Sequence, residues 1–482
     1  MEAYIQNIQS QVFPLTVLDT QASFSNIPFV FFFENTTGNP EFMSTDSLYN
    51  SFFRTMQEMP IFGGRVTQQC GGQINVVVNK DDINMPDYRE TQSNVPFKVI
   101  KADNFNWRSW PQGVNTAGPM TRSNADGEIK LINVHVVRLK DNSGVMIYVS
   151  MVHYVVDGPA HMDVINRWCE IHRLMISGNE EKISSMKPFT ADRDIVKQSL
   201  PAERSPIDAE TSDTFQGFSI LAEWAAWISP QWRGTIISKV VERQNTETHI
   251  FHVSRVALQR LRDELSEYVS DIDNVADNDL ILSLATKTMA QSQRIVEERA
   301  KGIVHTGIME PRDGVLPMAI IFEVRDHLGL SDKHYLGNVL IPKIKYTPLR
   351  ELESPTDSKS MSRMLAEYSH ITKRLTPAQI ATHADMVIPY PSSFAKPIVR
   401  FLGHKSALSF VYDIMPNMYV ADFGEGTPVW VSPIQPFRAN ATLLLTPKDP
   451  TDGVDVFLTA FPDVMKEVFK NEYFVDYAKC IY

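Results

Sequence analysis

Cysteine is scarce in this chain of 482 residues. Its three cysteines, Cys70, Cys169 and Cys480, form an odd and widely spaced set, which gives no disulfide framework. No group of histidine, cysteine and carboxylate residues has the spacing of a metal site either. We therefore expect a reducing, cytoplasmic setting and a functional site that holds no metal.

Long apolar runs are also lacking. The strongest candidate for a membrane segment, 218–232 (FSILAEWAAWISPQW), is short for a span and contains Glu223 and Pro230. We expect a buried helix there, with an interfacial or channel-lining helix as the alternative. The first residues, MEAYIQNIQSQ, resemble no secretory signal, and the ending KCIY departs from the prenylation pattern.

Positive charge is not in excess, because the formal net charge is -11. This balance disfavours nucleic acid as the main partner, although a local cluster of basic residues can still bind a small anion. Hydrophobic residues make up 43% of the chain and charged residues 21%, which is ordinary for a soluble globular protein. A chain of this length is too long for one compact core, so we expect two domains or lobes.

The most informative stretch is 145–172, VMIYVSMVHYVVDGPAHMDVINRWCEIH. An apolar run that predicts a strand ends at His153, a turn follows at Asp157 and Gly158, and helical periodicity begins after them. A strand, a tight turn and a helix often present a reactive side chain at a sheet edge. His153 is therefore a candidate general base, because a neutral imidazole suits proton transfer near pH 7.

Two alternatives remain open at this point. His153 can equally be a core histidine that bonds a backbone group, since a single His-x-x-x-Asp pattern is weak. Asp157 can orient the imidazole as in a catalytic triad, or it can turn away and brace the loop through an arginine. Cys169 and His172 share a helical face with apolar residues, so we expect core packing there and not a nucleophile.

The rest of the chain alternates strand-like and helix-like segments in both halves, which predicts an α/β protein of two lobes. Residues 46–57 predict a helix that is capped by Asp46, and 130–152 predict a hairpin. Residues 184–216 are polar, contain three prolines and predict a long linker. Residues 462–478 predict one closing helix.

Three separate stretches together resemble the BAHD family, the acyl-CoA-dependent acyltransferases of plants and fungi. The sequence HYVVDG at 153–158 is similar to the family's HxxxDG motif, and DFGEGTP at 422–428 is similar to its DFGWG motif. Between them, 324–338 (VRDHLGLSDKHYLGN) resembles the stretch that leads from an arginine to YxGN. Weaker similarities extend over nearly the whole chain, and the departures suggest a fungal-type member.

The resemblance implies a fold of two similar-sized mixed-sheet lobes, like chloramphenicol acetyltransferase, with a channel at their interface. The first lobe would comprise 1–183 and the second 217–482, with 184–216 crossing between them. Residues 422–446 would cross back to complete the first lobe. Relatives of this kind are mostly monomers.

The resemblance also implies a mechanism without a tightly bound cofactor. Acyl-CoA would be the cosubstrate, and His153 would take the proton from a hydroxyl or amine of a small-molecule acceptor, with no covalent acyl-enzyme. Within the catalytic motif, Asp157 would pair with Arg325 and hold the loop. Gly158 and the second motif, Asp422, Gly424 and Gly426, would be structural.

One residue departs from the family pattern, because Glu425 replaces the tryptophan of DFGWG. We therefore name no oxyanion donor and no residue that binds CoA. Two other functions remain open. One is a carrier-dependent condensation domain, whose HHxxxDG motif would place a histidine where this chain has Val152. The other is a homologue that binds ligand without catalysis.

Overall fold

The computed structural model describes most of the chain. The described residues are 1–21, 25–68, 73–114, 128–206, 246–303, 313–372, 375–387, 410–415, 417–434 and 441–482. Cys70 and the apolar segment 218–232 lie outside these ranges. None of the described helices is long and apolar enough to cross a membrane.

The first lobe is built on a five-stranded sheet of order β12-β2-β7-β6-β5, with a separate three-stranded sheet of order β1-β4-β3. Neighbouring strands in both sheets are antiparallel except the parallel pair β5 and β6. The strands are β1 (Gln11–Pro14), β2 (Asn26–Glu34), β3 (Arg65–Gln68), β4 (Ile74–Val78), β5 (Asp87–Gln92), β6 (Ile132–Arg138), β7 (Gly144–Val152) and β12 (Trp430–Pro433).

The second lobe is built on a seven-stranded mixed sheet of order β10-β9-β11-β13-β14-β8-β15. Strand β11 runs parallel to both of its neighbours, β9 and β13, and the remaining pairs are antiparallel. The strands are β8 (Glu247–Ser254), β9 (Val315–Glu323), β10 (Leu340–Pro348), β11 (Phe410–Met415), β13 (Ala441–Leu445), β14 (Gly453–Ala460) and β15 (Lys479–Cys480).

Helices accompany the sheets in both halves of the chain. In the first half of the chain they are α1 (Glu2–Asn7), α2 (Val17–Gln21), α3 (Thr45–Met56), α4 (Phe97–Ala102), α5 (Gly158–Ile176) and α6 (Asp194–Ser199). In the second half they are α7 (Arg255–Leu265), α8 (Asp277–Ala300), α9 (Leu349–Glu353), α10 (Ser358–Thr372), α11 (Pro377–Val387), α12 (Pro462–Val468) and α13 (Glu472–Tyr477).

Strand β7 lies inside the first lobe because its sequence is apolar on both faces. All nine of its residues are buried, as expected for a strand that is covered on both sides. Helix α5 then lies back on the sheet. Its Trp168 donates a hydrogen bond from Nε1 to Ser51 Oγ of α3 at 3.0 Å, which ties the two covering helices together.

Among the described residues, two large apolar cores fill the lobes, the first around β2, β7, α3 and α5 and the second around α7, α8 and the second sheet, and a smaller cluster includes Phe32 and Phe97. The N-terminal helix α2 contributes Leu18 to the second core, and the connecting helix α6 contributes Val196. Helix α2, which precedes the five-stranded sheet in the chain, therefore already packs against the second lobe. In the described part of the predicted linker, Arg193 and Val196 are buried, while the other residues are exposed or half-buried.

Strand β12 belongs to the first lobe although β11 and β13, on either side of it in the chain, belong to the second. It pairs antiparallel with β2, with Trp430 opposite Phe32 and Pro433 opposite Phe29. The chain therefore leaves the second sheet, completes the edge of the first, and returns by Ala441.

Two expectations about helix ends were wrong. Helix α3 is capped by Ser44, whose Oγ accepts a hydrogen bond from Ser47 N, and Asp46 lies inside its first turn. The predicted closing helix is two helices, α12 and α13. It is interrupted because Asn471 caps a new helix, with Oδ1 accepting a hydrogen bond from Phe474 N.

Candidate active site

His153 directly follows β7 and lies where the two lobes meet. Its backbone N–H donates to Ser25 O at 3.0 Å, which fixes the end of the strand. The side chain is partly exposed. Burial lowers the pKa of His153 below its ordinary value of 6.5, and outweighs the opposing charge of Asp157 and the hydrogen bonds to the ring. The imidazole is therefore neutral near pH 7, as a general base requires.

The imidazole is held by a residue of the other lobe. His153 Nδ1 lies 2.8 Å from Oδ1 of Asn338, which is fully buried just before β10. Asn338 Nδ2 in turn donates to the carbonyl oxygen of His153 at 2.6 Å. One amide therefore bonds both the ring and the backbone of His153, and leaves Nε2 as the ring nitrogen that can meet a substrate.

Asp157 turns away from the imidazole. Its two carboxylate oxygens each accept a hydrogen bond of 2.8 Å from the Arg325 guanidinium, in a fully buried pair. Oδ1 also accepts from Ala160 N at 3.1 Å and so caps α5. The structure thus contains the Asp157–Arg325 ion pair that the resemblance implies, and the triad interpretation of Asp157 was wrong.

The segment 337–339 is held at each residue by a side chain from elsewhere. Arg325 donates to Gly337 O at 2.9 Å, Asp19 accepts from Asn338 N at 2.9 Å, and Asp157 accepts from Val339 N at 2.9 Å. Burial of these groups strengthens each bond and makes its loss costly. The turn that carries Asn338 is consequently rigid.

A second histidine lies beneath the first on α5. His161 is fully buried, and neither of its ring nitrogens has a partner among the described residues. Its ring meets Phe29 edge-on at 5.2 Å between centroids. Burial lowers the pKa of His161 to about 3. The His161 ring near His153 is therefore uncharged at neutral pH. No sequence pattern singles out this residue.

The second motif forms a tight loop at the other end of α5. Asp422 Oδ1 accepts hydrogen bonds from the backbone N–H groups of Gly424, at 2.7 Å, and Gly426, at 3.2 Å. Both glycines have positive φ, +97° and +104°, where residues with a Cβ are strained. His172 Nδ1 lies 2.7 Å from Phe423 O, and burial lowers the pKa of His172, so the neutral ring donates its Nδ1–H to that carbonyl.

This loop is remote from His153. Helix α5 rises about 1.5 Å per residue, which places His172 about 22 Å from Asp157 along the axis. Glu425, at the position of the motif tryptophan, is exposed and accepts a hydrogen bond from Asn39 Nδ2 at 3.3 Å. Position 425 therefore supplies no donor to the His153 site.

Cys169 and His172 are core residues, as the sequence predicts. Both are buried, and burial raises the pKa of the Cys169 thiol far above its ordinary value, so it is not a nucleophile. Within the described ranges no group of three or more His, Cys, Asp or Glu side chains has the arrangement of a metal site.

A cavity of about 870 Å³ opens between the lobes. It is bordered by Trp107, Trp110 and Pro433 from the first lobe and by His249 and Phe457 from the second. The lining also includes charged side chains, Arg108 and Glu247, and does not include His153.

Sequence reasoning missed the polar residues behind His153. Asn338 belongs to the YxGN-like stretch, but no sequence pattern indicates that it is the partner of the imidazole. Asp19 stands in an unremarkable stretch, and its bonds to Asn338 join positions 319 residues apart. Arg193, in the predicted linker, forms a buried ion pair with Asp19 at 3.4 Å. No local pattern marks such contacts.

Comparison with solved structures gives the same fold over the whole chain. F. sporotrichioides TRI101, solved with coenzyme A and T-2, superposes with a TM-score of 0.67 at 14% identity, covering 98% of this chain and 100% of that one. Vinorine synthase gives 0.60 at 15% identity, covering 95% and 92%. The first condensation domain of the CDA synthetase gives 0.55 at 13% identity, covering 98% of both chains.

Sequence comparison adds a match to part of the chain. No curated protein matches the chain in sequence. Residues 5–219, which include His153, Asp157 and Gly158, match the model of a family described as the Transferase family. This match covers less than half of the chain, and the solved structures show that nearly the whole chain has the fold of TRI101 and vinorine synthase.

Proposed function

We propose that this BAHD-type protein transfers an acyl group from acyl-CoA to a hydroxyl or amine of a small secondary-metabolite acceptor, with His153 as general base. The observation that carries the proposal is the neutral imidazole at the lobe interface, held at Nδ1 by Asn338. The solved relative TRI101 binds coenzyme A together with T-2, which supports this pair of substrates.

The reaction uses one histidine for two proton transfers. His153 Nε2 removes the proton as the acceptor oxygen or nitrogen attacks the thioester carbonyl carbon. The tetrahedral intermediate collapses, the carbon–sulfur bond breaks, and the imidazolium returns the proton to the CoA thiolate. Cys169 is buried and unreactive, which supports direct transfer without a covalent acyl-enzyme. Positioned proton transfer of this kind contributes typically ~10²–10⁴-fold to the rate.

The remaining motif residues have structural roles in this proposal. Asp157, Gly158 and Arg325 shape the turn after His153, while Asp422, Gly424 and Gly426 fix the loop at the far end of α5. The lobes divide at 1–183 and 217–482, with 184–216 between them and β12 returned to the first lobe. The protein acts as a cytoplasmic monomer.

A second candidate is a condensation reaction on carrier-bound substrates. The fold similarity to a condensation domain over 98% of both chains favours it. Val152 precedes His153 here, where the condensation motif has a second histidine, so acyl-CoA ranks first.

Release of free thiol from a panel of acyl-CoAs, in the presence of mixed alcohols and amines, tests the proposal. We expect release that depends on an acceptor and that falls at least ~10²-fold in His153→Ala. His327→Ala is the matched control, because His327 is exposed on the second lobe and lies outside the site.

Thiol release that survives in His153→Ala would exclude His153 as the base. Absence of both turnover and calorimetric CoA binding across the panel would exclude acyl-CoA as donor, and carrier-loaded acyl groups would then be the next donor to assay.

A further inference from the structure

The oxygen and both N–H groups of the Asn338 side-chain amide have hydrogen-bond partners. Oδ1 lies 2.8 Å from His153 Nδ1, and Nδ2 donates to His153 O at 2.6 Å and to Asp19 Oδ1 at 3.1 Å. A buried amide whose donors and acceptor all have partners is fixed in orientation as well as in position.

This network admits one orientation of the amide. If the amide were reversed, Oδ1 would face the His153 carbonyl oxygen and the Asp19 carboxylate. Each of these contacts would then join two acceptor oxygens with no hydrogen between them. Nδ2 therefore faces those two oxygens, and Oδ1 faces the ring. Because Oδ1 can only accept, the hydrogen between the two groups belongs to His153 Nδ1.

Asp19 anchors Asn338. Its Oδ1 accepts from the backbone N–H of Asn338 at 2.9 Å as well as from Nδ2. Its Oδ2 accepts from Thr16 N at 2.8 Å and from Thr16 Oγ1 at 2.9 Å, and it is paired with Arg193 Nε at 3.4 Å. Asp19 is completely buried, so these contacts are not exchanged for water.

We propose that Asn338, anchored by Asp19, is the positioning residue that holds His153 in the Nδ1–H tautomer and so presents the Nε2 lone pair to the acceptor. This inference rests on the proposed function only in its kinetic consequence. The tautomer itself is a property of the resting protein.

The tautomer matters because the histidine side chain in water prefers to carry its proton on Nε2. A base that must act through Nε2 therefore needs a neighbour that accepts from Nδ1. A carboxylate in that place would raise the proton affinity of the ring. The neutral amide orients the ring without adding a charge, and the carboxylate of Asp19 lies one residue further away.

The arrangement also makes the base dependent on both lobes. His153 belongs to the first lobe and Asn338 to the second. Asp19 belongs to α2, and the residue before it, Leu18, packs in the second core. A shift of one lobe against the other would move the amide off the ring. The base is thus complete only when the interface is closed.

The test uses the full-length protein labelled with ¹⁵N at histidine, with the His153 signals assigned by their loss in His153→Gln. In the unmodified protein, two-bond proton–nitrogen correlations should show Nδ1 protonated and Nε2 unprotonated near pH 7.5. Asn338→Ala and Asp19→Asn should give a mixture of tautomers or the Nε2–H form.

Turnover provides the second measurement. With any acyl-CoA and acceptor pair that reacts, Asn338→Ala should lower kcat on the order of 10²-fold and change KM by less than about threefold, because the substrate still binds while the base is misdirected. Asp19→Asn should shift kcat in the same direction.

Asn35→Ala is the matched control. Asn35 also donates from Nδ2 to two carbonyls, those of Asn39 and Asn142, and accepts from Asn39 N, but it follows β2 at the end away from His153. Its loss should lower stability without changing the tautomer or kcat.

An Nε2–H tautomer in the unmodified protein would overturn the proposal, and so would an unchanged tautomer in folded Asn338→Ala. If no acyl-CoA reacts, the proposed function fails while the tautomer result stands by itself.

Discussion

The Arg325 guanidinium donates two hydrogen bonds of 2.8 Å to the Asp157 carboxylate, and neither residue bonds the imidazole of His153. The aspartate of the HxxxDG-like motif thus holds the backbone around the site and does not orient the imidazole. It caps α5, holds Val339 N and joins the lobes, whereas the imidazole is bonded by Asn338 and by backbone groups of His153 and Val156.

Asp157→Asn should strongly destabilise the protein. The substitution removes the charge that balances a buried Arg325 and puts an amide N–H₂ against donors. Breaking a buried pair in this way costs about 3–5 kcal/mol of the free energy of unfolding. Chemical denaturation measures it.

The control for this variant is Asp463→Asn, which breaks an exposed pair with Lys466 whose side chains are 68% and 67% accessible. That loss should be within about 1 kcal/mol. Equal losses in the two variants would mean that the Asp157–Arg325 pair carries no special weight.

The pH dependence of kcat/KM should report the neutral imidazole. Because burial lowers the pKa of His153 below 6.5, activity should be constant at neutral pH and fall only at pH values below 6.5, by tenfold for each pH unit once the ring is protonated. An acid limb centred above 6.5 would contradict this environment for the ring. His327→Ala should leave the profile unchanged.

The pKa of His252 in the second lobe is shifted in the opposite direction to that of His153, and this shift should make the stability of the protein depend on pH. Its Nδ1 lies 2.7 Å from Asp455 Oδ1 across β8 and β14, and this hydrogen bond raises the pKa of His252 above 6.5. Asp452 Oδ2, at 3.5 Å from Nε2, acts in the same direction. The folded state then binds the proton more tightly than the unfolded state.

The stabilisation from this pair is therefore fully present below pH 6.5 and is lost as the pH rises through the raised pKa. Denaturation at pH 6 and pH 8.5 should show a smaller difference in His252→Gln than in the unmodified protein. If the two differences are the same, the pair does not contribute.

Gly426→Ala should lower stability through the backbone alone. A Cβ at Gly426 would meet nothing within 4 Å, but φ is +104°, which lies outside the left-handed helical region. We expect a loss larger than the about 1–2 kcal/mol typical of that region. The pH profile of kcat/KM should not change, because the loop is remote from His153.

Gly38→Ala is the comparison for the glycine loop. Gly38 is equally free of contacts, and its φ of +68° is one that an alanine can adopt at moderate cost. A Gly426→Ala loss no larger than that of Gly38→Ala would show that the unusual φ is not needed.

Features that depend on neighbouring residues were predictable from the sequence. The β6–β7 hairpin and the strand–turn–helix around His153 follow from apolar periodicity and turn residues. The Asp157–Arg325 pair joins positions 168 residues apart, and only the family resemblance predicted it. The helix cap was missed by two positions because Ser44 and Asp46 are both good capping residues.

The contacts that hold the imidazole were not predictable in this way. Asp19 lies in an ordinary sequence, and Arg193 lies in a polar stretch that predicts a solvated linker. Both acquire their roles only when the lobes pack together. The break at Asn471 shows the same limit, since a side-chain cap competed locally with continuous helical periodicity.

The position of β12 has a consequence for synthesis on the ribosome. Strand β2, with its run of phenylalanines, can pair with β7 once residue 152 has been made, but the partner of its other edge, β12, begins only at Trp430. Residues 152 and 430 are separated by about 280 residues of chain, which take roughly 14–56 s to translate at about 5–20 residues per second. For that time the nascent protein displays an apolar strand with unpaired backbone groups, so its folding in the cell depends on what shields that edge before the chain returns to it.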